Sequence, residues 1–317
     1  MLSVDGAMVR SPVSEEGGEK EEIFPHERRK YEKCETRCVA GISPRDLGHT
    51  FGFEAPLEAF FIRYYVMRRE TVMESIWKNI LIVGASSGIG EALARQLAND
   101  DTRIALVSRR ESELKRVAGE LKGKAYVYPH DVTAYEEIPG LFQKIVRDLG
   151  GLDMVIYTAG VMPPIGENEY NFDKDLTIVE VNLLGAIAWL NEAAIRFGVA
   201  GAGSIVGVTS VAGDRGRRGQ PVYCASKAAF NTYLEALRNR LAVKGVSVVT
   251  VKPGPVATPM TRGLDNLPMV ISAEQAASGI INAVRRKKRE VYVPGKWRPI
   301  MFILRHIPSI LFQKMKI

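Results

Sequence analysis

Cysteine is scarce in this sequence: its 317 residues include three, Cys34, Cys38 and Cys224. A small odd number argues against a disulfide framework and is typical of a reducing compartment, so we expect a cytoplasmic protein. Cys34 and Cys38, with His26 and His49 nearby, would make half of a zinc site, but no second cysteine pair follows them. We therefore expect no metal site.

Long apolar runs are also missing. A membrane-spanning helix needs about 18 or more mostly apolar residues in succession, and we predict none in this sequence. The N-terminus lacks the apolar core that signal peptides carry. The segment 59–67 is apolar but too short to cross a bilayer.

Acidic residues are nearly absent from the C-terminal end, and this imbalance produces the net charge of +7. Residues 285–317 hold 10 basic and 1 acidic side chain, whereas residues 73–284 hold 22 of each and residues 1–72 hold 11 basic and 13 acidic. A nucleic-acid-binding domain carries positive charge across a face of its fold. The neutral central part therefore argues against a nucleic-acid partner.

The composition divides the chain into three parts. Residues 1–72 are rich in glutamate and glycine, and we interpret them as a disordered extension or as the product of a start codon placed too far upstream. The position of Met73, just before the first predicted strand, favours the second interpretation. Residues 73–295 are expected to form one domain, and residues 296–317 form an apolar, basic tail.

Short apolar runs alternate with helical patterns from residue 79 onward. The runs predict strands at 80–83, 104–107, 125–128, 154–157, 204–208, 246–251 and 291–293. The patterns between them predict helices near 90–97, 111–121, 135–149, 175–197 and 223–242. Strands alternating with helices form a parallel sheet covered on both faces. We expect an α/β fold with a Rossmann-type, doubly wound parallel sheet in a single domain.

A glycine-rich turn connects the first predicted strand to the first helix. It contains Gly84, Gly88 and Gly90, which let the backbone bend and approach a ligand closely. The free N–H groups and the positive dipole end of the following helix suit a pyrophosphate. The sequence therefore predicts a dinucleotide site, which also includes Ser86, Ser87 and Ile89.

The end of the second strand lacks the acidic residue that binds the ribose 2′-hydroxyl of NAD. Ser108 is followed there by Arg109 and Arg110. A guanidinium at this place pairs with the 2′-phosphate of NADP; the alternative is a solvated charge at the start of a helix. We predict NADP (NADPH) rather than NAD as the cofactor, with Arg109 as its ligand because it is closer to the strand end.

Tyr223 and Lys227 are four residues apart at the start of a predicted helix, which places them on one face. A neighbouring ammonium favours the phenolate of a tyrosine, whose pKa is ordinarily about 10. Ser210 follows the fifth predicted strand and can donate a hydrogen bond to a carbonyl oxygen that gains negative charge. These three residues predict acid–base chemistry at a carbonyl group.

The motifs occur together in the order and spacing of the short-chain dehydrogenase/reductase family, which the sequence resembles over residues 77–295. Besides the glycine-rich turn, Ser210, Tyr223 and Lys227, the resemblance rests on Asp131, Val132, Ala159, Gly160, Asn182, Pro253 and Gly254. It implies hydride transfer between a nicotinamide and a ketone or secondary alcohol. It also implies a homodimer or homotetramer.

The resemblance implies roles for single residues as well. Tyr223 would donate the proton in reduction, Lys227 would hold the nicotinamide ribose and lower the pKa of Tyr223, and Ser210 would position the carbonyl. Asn182 would bind a proton-relay water, or else be a helix-packing amide. Thr258 would contact the nicotinamide carboxamide, or else cap a lid helix. The remaining cofactor contacts correspond to Asp131 at the adenine edge and to Val132, Ala159, Gly160, Pro253, Gly254 and Val256.

Two places depart from the family pattern. Val83 stands where threonine is frequent, and Tyr157-Thr158 replaces a pair of asparagines that brace the sheet and the cofactor loop. The departures leave the local geometry open, but they do not touch the residues that the chemistry needs.

The expected substrate end contains a lid, residues 259–269, and a loop with Arg215, Arg217 and Arg218. These arginines would grip a phosphate or carboxylate, or else form a solvated basic loop. The tail interleaves large apolar residues with basic ones, and Pro308 interrupts any single helix. It would lie at a membrane interface beside anionic lipid, or else be a docked extension or a dimer contact.

The loop and the tail together resemble family members that reduce a polyprenyl-phosphate-linked 2-keto pentose at the membrane. Our first hypothesis is an NADP-dependent oxidoreductase of a small-molecule ketone or alcohol. The alternative is a peripheral reductase of such a lipid-linked carbonyl, attached to the inner face of the membrane through residues 296–317. A second alternative is a non-catalytic dinucleotide-binding sensor.

Overall fold

The computed structural model describes residues 77–315 with the exception of Asp265. The expectations for residues 1–72, Cys34 and Cys38 among them, lie outside the described residues. The strands are β1 Asn79–Val83, β2 Arg103–Ser108, β3 Lys124–Pro129, β4 Met154–Tyr157, β5 Ser204–Val208, β6 Ser247–Pro253, β7 Val256–Ala257, β8 Ile271–Ser272 and β9 Glu290–Val293.

The helices lie between and after these strands. They are α1 Gly88–Leu97, α2 Glu111–Glu120, α3 Ile138–Leu149, α4 Phe172–Val179, α5 Gly185–Ala200, α6 Pro221–Ala242, α7 Ala273–Arg285, α8 Trp297–His306 and α9 Ser309–Phe312. A π-helical turn, Glu180–Leu184, joins α4 to α5. Short 3-10 helices occupy Tyr135–Glu137, Val211–Asp214 and Pro259–Thr261.

Seven of the described strands form one parallel sheet in the order β3-β2-β1-β4-β5-β6-β9. Strand β1 pairs with β2 on one side and β4 on the other, so that Ile82 is aligned with both Leu106 and Ile156. The order of strands along the chain reverses between β1 and β4. In open α/β sheets, ligands bind at the carboxyl ends of the strands at such a reversal.

Both faces of the sheet are buried, because helices cover each of them. Leu93 and Ile280 pack with Ile82 on the face covered by α1, α2 and α7. Phe142 and Trp189 pack with Leu81 on the face covered by α3, α5 and α6. Burial on both sides explains why the strands appear in the sequence as continuous apolar runs. The predicted doubly wound α/β domain is confirmed.

Three of the described helices, α7, α8 and α9, were not predicted from the sequence. The helix α7 was not predicted, because its buried face is built partly from small residues, Ala276 and Ala277, which give a weak apolar pattern. By length and composition, Phe172–Ala200 is able to cross a membrane, contrary to the expectation that no such helix exists. In the structure 44% of its apolar window is buried inside the domain, and Trp189 and Phe197 from this segment belong to the core.

The described part of the tail packs on the domain. Trp297 and Met301, one turn apart in α8, are buried together with Val211 and Tyr292. The helix ends before Pro308, as the sequence predicted, and the short helix α9 follows.

Candidate active site

The glycine-rich turn forms a tight connection between β1 and α1. Gly84 has a φ of +95°, and a Cβ there would lie 2.5 Å from the backbone nitrogen of Ala159. A Cβ on Gly90 would overlap the carbonyl oxygen of Gly84. Both positions therefore require glycine. The backbone N–H groups at the start of α1 face the end of the sheet and provide the cradle that a pyrophosphate needs.

Tyr157 and Thr158, which replace the pair of asparagines frequent in the family, form hydrogen bonds that support the sheet and the glycine-rich turn. The Thr158 hydroxyl donates to the carbonyl oxygen of Val83 at 2.9 Å and lies 3.1 Å from that of Gly84. The buried Tyr157 hydroxyl donates to the carbonyl oxygen of Val181 at 2.7 Å. The substituted pair thus supports both the glycine-rich turn and the helix that carries Asn182.

Two arginines follow β2, where we expect the adenosine part of the cofactor. Arg110 Nη2 donates to Ser86 Oγ at 2.8 Å and to Ser87 Oγ at 2.7 Å. Arg109 is exposed, and its Nη1 lies 3.6 Å from Asp131 Oδ2. Burial alone would raise the pKa of Asp131, but hydrogen bonds from Thr133 and the charge of Arg109 lower it.

From the sequence, Arg109 was preferred to Arg110 as the ligand of the 2′-phosphate. In the structure it is Arg110 that donates hydrogen bonds to the glycine-rich turn. Its position beside two serine hydroxyls follows from the fold and not from the local pattern. Val132 is buried next to Gly185, and Ile89 packs against the core below α1. These two residues therefore hold the site in shape.

Ser210, Tyr223 and Lys227 meet beyond the end of β5. Ser210 Oγ accepts a hydrogen bond from the backbone N–H of Ala212 at 3.0 Å and thereby caps the helix Val211–Asp214. Burial raises the pKa of Tyr223, and hydrogen bonding by Ser210 and the charge of Arg217 oppose that rise. Lys227 Nζ lies 5.7 Å from the centre of the Tyr223 ring.

Lys227 is a buried amine with few polar neighbours. Its Nζ lies 3.4 Å from the carbonyl oxygen of Val208. Burial lowers the pKa of Lys227 to about 8. A Cβ built on Gly160 would come within 3.4 Å of the same nitrogen, so glycine keeps this approach open. A buried amine of this kind, next to a glycine, fits the hydroxyls of a cofactor ribose.

Asn182 lies in the π-helical turn, and such turns are frequent at functional sites. Its Oδ1 accepts from the backbone N–H of Val161 at 2.7 Å, and its Nδ2 donates to the carbonyl oxygen of Val161 at 3.0 Å. Nδ2 also lies 3.4 Å from Ser226 Oγ. In this structure the amide therefore fastens the loop after β4 to its helix, which is the packing role that the sequence analysis kept as an alternative.

The loop after β6 closes the site from the other side. The Thr258 side chain approaches Gly88, whose Cβ would lie 3.0 Å from Thr258 Cγ2. Thr258 also precedes the short helix Pro259–Thr261, with its backbone N–H donating to Thr261 Oγ1 at 3.1 Å. Both interpretations of Thr258, contact to the site and helix cap, are thus compatible with its position. Pro253 and Val256 are buried, and Gly254 packs against the indole of Trp297.

The three arginines of the predicted substrate loop have different neighbours. Arg215 Nη1 donates to the carbonyl oxygen of Arg305 at 2.8 Å, and its guanidinium lies over the ring of Phe312. Arg218 donates to the carbonyl oxygen of Gln313. Both therefore hold the tail. Arg217 is exposed and is the one whose charge acts on Tyr223.

Comparisons with known proteins agree with this geometry. The family model for short chain dehydrogenase matches residues 78–267. An uncharacterized oxidoreductase of Staphylococcus epidermidis is 34% identical over 188 residues, which cover 59% of this chain and 82% of that protein. An uncharacterized oxidoreductase of Mycobacterium tuberculosis is 28% identical over 244 residues, which cover 75% of this chain and 96% of that protein.

A solved structure of a short-chain type dehydrogenase/reductase from Mycobacterium marinum superposes with a TM-score of 0.64 at 25% identity, covering 70% of this chain and 95% of that one. A variant of actinorhodin polyketide ketoreductase, solved with NADPH, superposes with a TM-score of 0.58 at 25% identity, covering 65% and 89% of the two chains. The fold and the family match agree, and the chain belongs to the short-chain dehydrogenase family as an NAD(P)-dependent oxidoreductase.

Proposed function

We propose that this protein is an NADPH-dependent reductase that converts a ketone into a secondary alcohol, with Tyr223 as the proton donor. The observation that supports the proposal most directly is that Ser210, Tyr223 and Lys227 meet at the same sheet edge as the glycine-rich turn. The remaining predicted cofactor contacts, at residues 131–132, 159–160 and 253–258, stay predictions.

Two side chains of the site, Ser210 and Tyr223, act on the carbonyl oxygen of the substrate. A bound nicotinamide would supply the hydride to the carbonyl carbon. Ser210 Oγ accepts the backbone N–H of Ala212 and hydrogen-bonds to the Tyr223 side chain; a carbonyl oxygen bound between the two hydroxyls would receive the Ser210 proton in a hydrogen bond. Tyr223 gives its phenolic proton to that oxygen as negative charge develops on it.

The local charges suit a tyrosine that is protonated before the reaction and stabilised after it. Burial raises the pKa of Tyr223, which keeps the proton on the phenol until the substrate accepts it. The ammonium of Lys227 and the guanidinium of Arg217 then favour the phenolate that remains. Lys227 also has donors to offer to the ribose hydroxyls, since the hydrogen bond that its Nζ makes within the described part of the chain is a long one, 3.4 Å, to the carbonyl oxygen of Val208.

The preference for NADPH is supported by charge at the end of β2. Arg109 and Arg110 both lie there, and Arg110 contacts two hydroxyls of the turn. A planar guanidinium binds phosphate oxygens in a bidentate manner. We propose that both arginines bind the 2′-phosphate.

The experiment is NADPH oxidation measured against a panel of ketones with the wild-type protein and Tyr223→Phe. We expect the variant to lose about a hundredfold or more in kcat while the Kd for NADPH stays nearly unchanged. Tyr233→Phe is a matched control on the same helix, since Tyr233 bonds to Asn191 away from the site. Retained turnover in Tyr223→Phe, or no turnover of any ketone, would contradict the proposal.

A lipid-linked 2-keto pentose phosphate is the second candidate substrate, favoured by the exposed Arg217 near Tyr223. An arginine in this place binds a phosphate group of the substrate. We expect Arg217→Gln to raise KM for such a substrate about tenfold or more and to leave KM for simple ketones unchanged. Turnover of simple ketones without any turnover of the lipid-linked sugar would exclude this candidate. A homodimer or homotetramer stays our prediction for the assembly, and light scattering measures it.

A further inference from the structure

The tail exposes apolar side chains besides those that pack on the domain. Trp297 and Met301 are buried against the domain. Phe302 and Ile303, which follow Met301 in α8, are 66% and 63% exposed. Four exposed apolar side chains form what we call the tail patch: Phe302, Ile303, Ile310 and Leu311.

The segment that carries the tail patch has charge of one sign. Arg298 and Arg305 belong to α8 and Lys314 follows α9, and all three are exposed. The basic run 285–289 precedes the patch in the chain, and no acidic residue follows Glu290 in the sequence. Exposed apolar side chains grouped in one segment among polar residues mark an interaction site. The partner of this patch must be apolar and negatively charged at the same time.

The tail patch is held in a fixed position on the domain. Arg215 donates to the carbonyl oxygens of Leu304 and Arg305 at 3.2 and 2.8 Å. Arg218 donates to that of Gln313. Both arginines belong to the loop that precedes Tyr223. Whatever covers the patch is therefore next to the loop that we expect at the substrate entrance.

We propose that the tail patch docks the protein on a lipid bilayer that contains anionic lipids. Phe302, Ile303, Ile310 and Leu311 would enter the headgroup region, and the basic residues of the same segment would lie at the level of the phosphates. A second copy of this chain is a poorer occupant, because it would bring two basic surfaces together. The docking does not depend on turnover, but its consequence for the substrate rests on the proposed reductase function: an amphiphilic ketone would enter from the bilayer.

The test is co-sedimentation of the full chain with vesicles of phosphatidylcholine, with and without about 30% phosphatidylglycerol. We expect binding to the anionic vesicles only, weakened by high salt. Replacement of the tail patch by serine at all four positions should weaken binding about tenfold or more. Arg298→Gln with Lys314→Gln should weaken it about tenfold as well, since each basic residue contributes.

The matched control is Val199→Ser with Val243→Ser, because these two side chains are 87% and 89% exposed and lie outside the tail. This variant should bind vesicles like the wild type. Equal binding to neutral and anionic vesicles, or full binding by the tail-patch variant, would overturn the proposal, as would self-association through the patch without vesicle binding. NADPH oxidation with a water-soluble ketone is measured in parallel, so that a failure of docking and a failure of the reductase function are distinguished.

Discussion

Lys252 Nζ lies 2.9 Å from Asp214 Oδ1, and the two side chains are 5% and 2% exposed. Glu290 Oε2 lies 2.8 Å from the same ammonium, and the Tyr292 hydroxyl donates to Asp214 Oδ2 at 2.7 Å. Asp214 ends the short helix that Ser210 caps. The buried ion pair therefore fixes the segment after Ser210 to the neighbouring strands β6 and β9.

Asp214→Asn should lower both the free energy of unfolding and kcat. Removing one charge of a buried pair costs about 3–5 kcal/mol, because the other charge stays buried. In the variant, Glu290 still pairs with the Lys252 ammonium. We therefore expect the free energy of unfolding to fall by about 3 kcal/mol. The segment that carries Ser210 loses its anchor, and kcat should fall roughly tenfold or more while the Kd for NADPH changes little.

The control for this variant is Glu290→Gln, which removes the exposed partner of the same ammonium. Glu290 is 45% exposed, so the loss should stay below about 1 kcal/mol. Denaturant titrations and steady-state kinetics measure both effects. Equal losses of unfolding free energy and of kcat in the two variants would show that the burial of Asp214 does not determine its contribution.

Lys227→Met should make the protein more stable and inactive. Burial lowers the pKa of Lys227 to about 8 in the folded protein, below its ordinary value of 10.5. The unfolded chain therefore binds more protons between about pH 8 and 10.5, and the wild type gains stability as the pH rises through that window. At pH 7 the buried charge costs about 3 kcal/mol, which the variant does not carry.

Thermal unfolding at pH 7 and pH 10 measures this difference. We expect Lys227→Met to have the higher Tm at pH 7 and the two proteins to converge at pH 10. A difference in Tm between the two proteins that is equal at both pH values would contradict the lowered pKa of Lys227. Lys227→Arg, which keeps a charge at all these pH values, should show no such convergence.

The two arginines after β2 should control the choice of cofactor. Arg110→Ala and Arg109→Ala should each raise KM for NADPH about tenfold or more, because a hydrogen-bonded charge contributes about 1.5–3 kcal/mol. KM for NADH should change little in both. We expect the larger effect for Arg110, which contacts Ser86 and Ser87. Equal kcat/KM for NADH and NADPH in the wild type would refute the preference for NADPH.

Thr158→Val should weaken cofactor binding without slowing the reaction. The variant keeps the shape but loses the hydrogen bond to the carbonyl oxygen of Val83 that braces the turn. One such bond is worth about 1 kcal/mol, so the Kd for NADPH should rise roughly fivefold. Thr158→Asn, which restores the residue frequent in the family, should bind NADPH like the wild type. A drop in kcat at unchanged Kd would place Thr158 in the chemistry instead.

The strands β1, β2, β4, β5 and β6 were predictable because each is a continuous apolar run buried on both faces, and the half-buried edge strand β3 still has an apolar run. The turn around Gly84 and the pair Tyr223 and Lys227 were predictable because their spacing is local. The contacts between residues that lie far apart in the sequence were not predictable. Nothing near Asp214 indicates Lys252, and nothing near Thr158 indicates that its hydroxyl replaces an asparagine amide. Such contacts depend on which strands become neighbours.

The close packing of Gly254 against Trp297 makes the loop after β6 and the tail dependent on each other. Any side chain at position 254 would overlap the indole, so these two positions cannot vary independently among relatives that keep this tail. A chain shortened before residue 297 would expose the loop beside Pro253 on which the predicted nicotinamide contacts depend. The tail thus supports the loop in which we predict the nicotinamide contacts and also forms an outer surface, so its loss should affect both cofactor binding and docking.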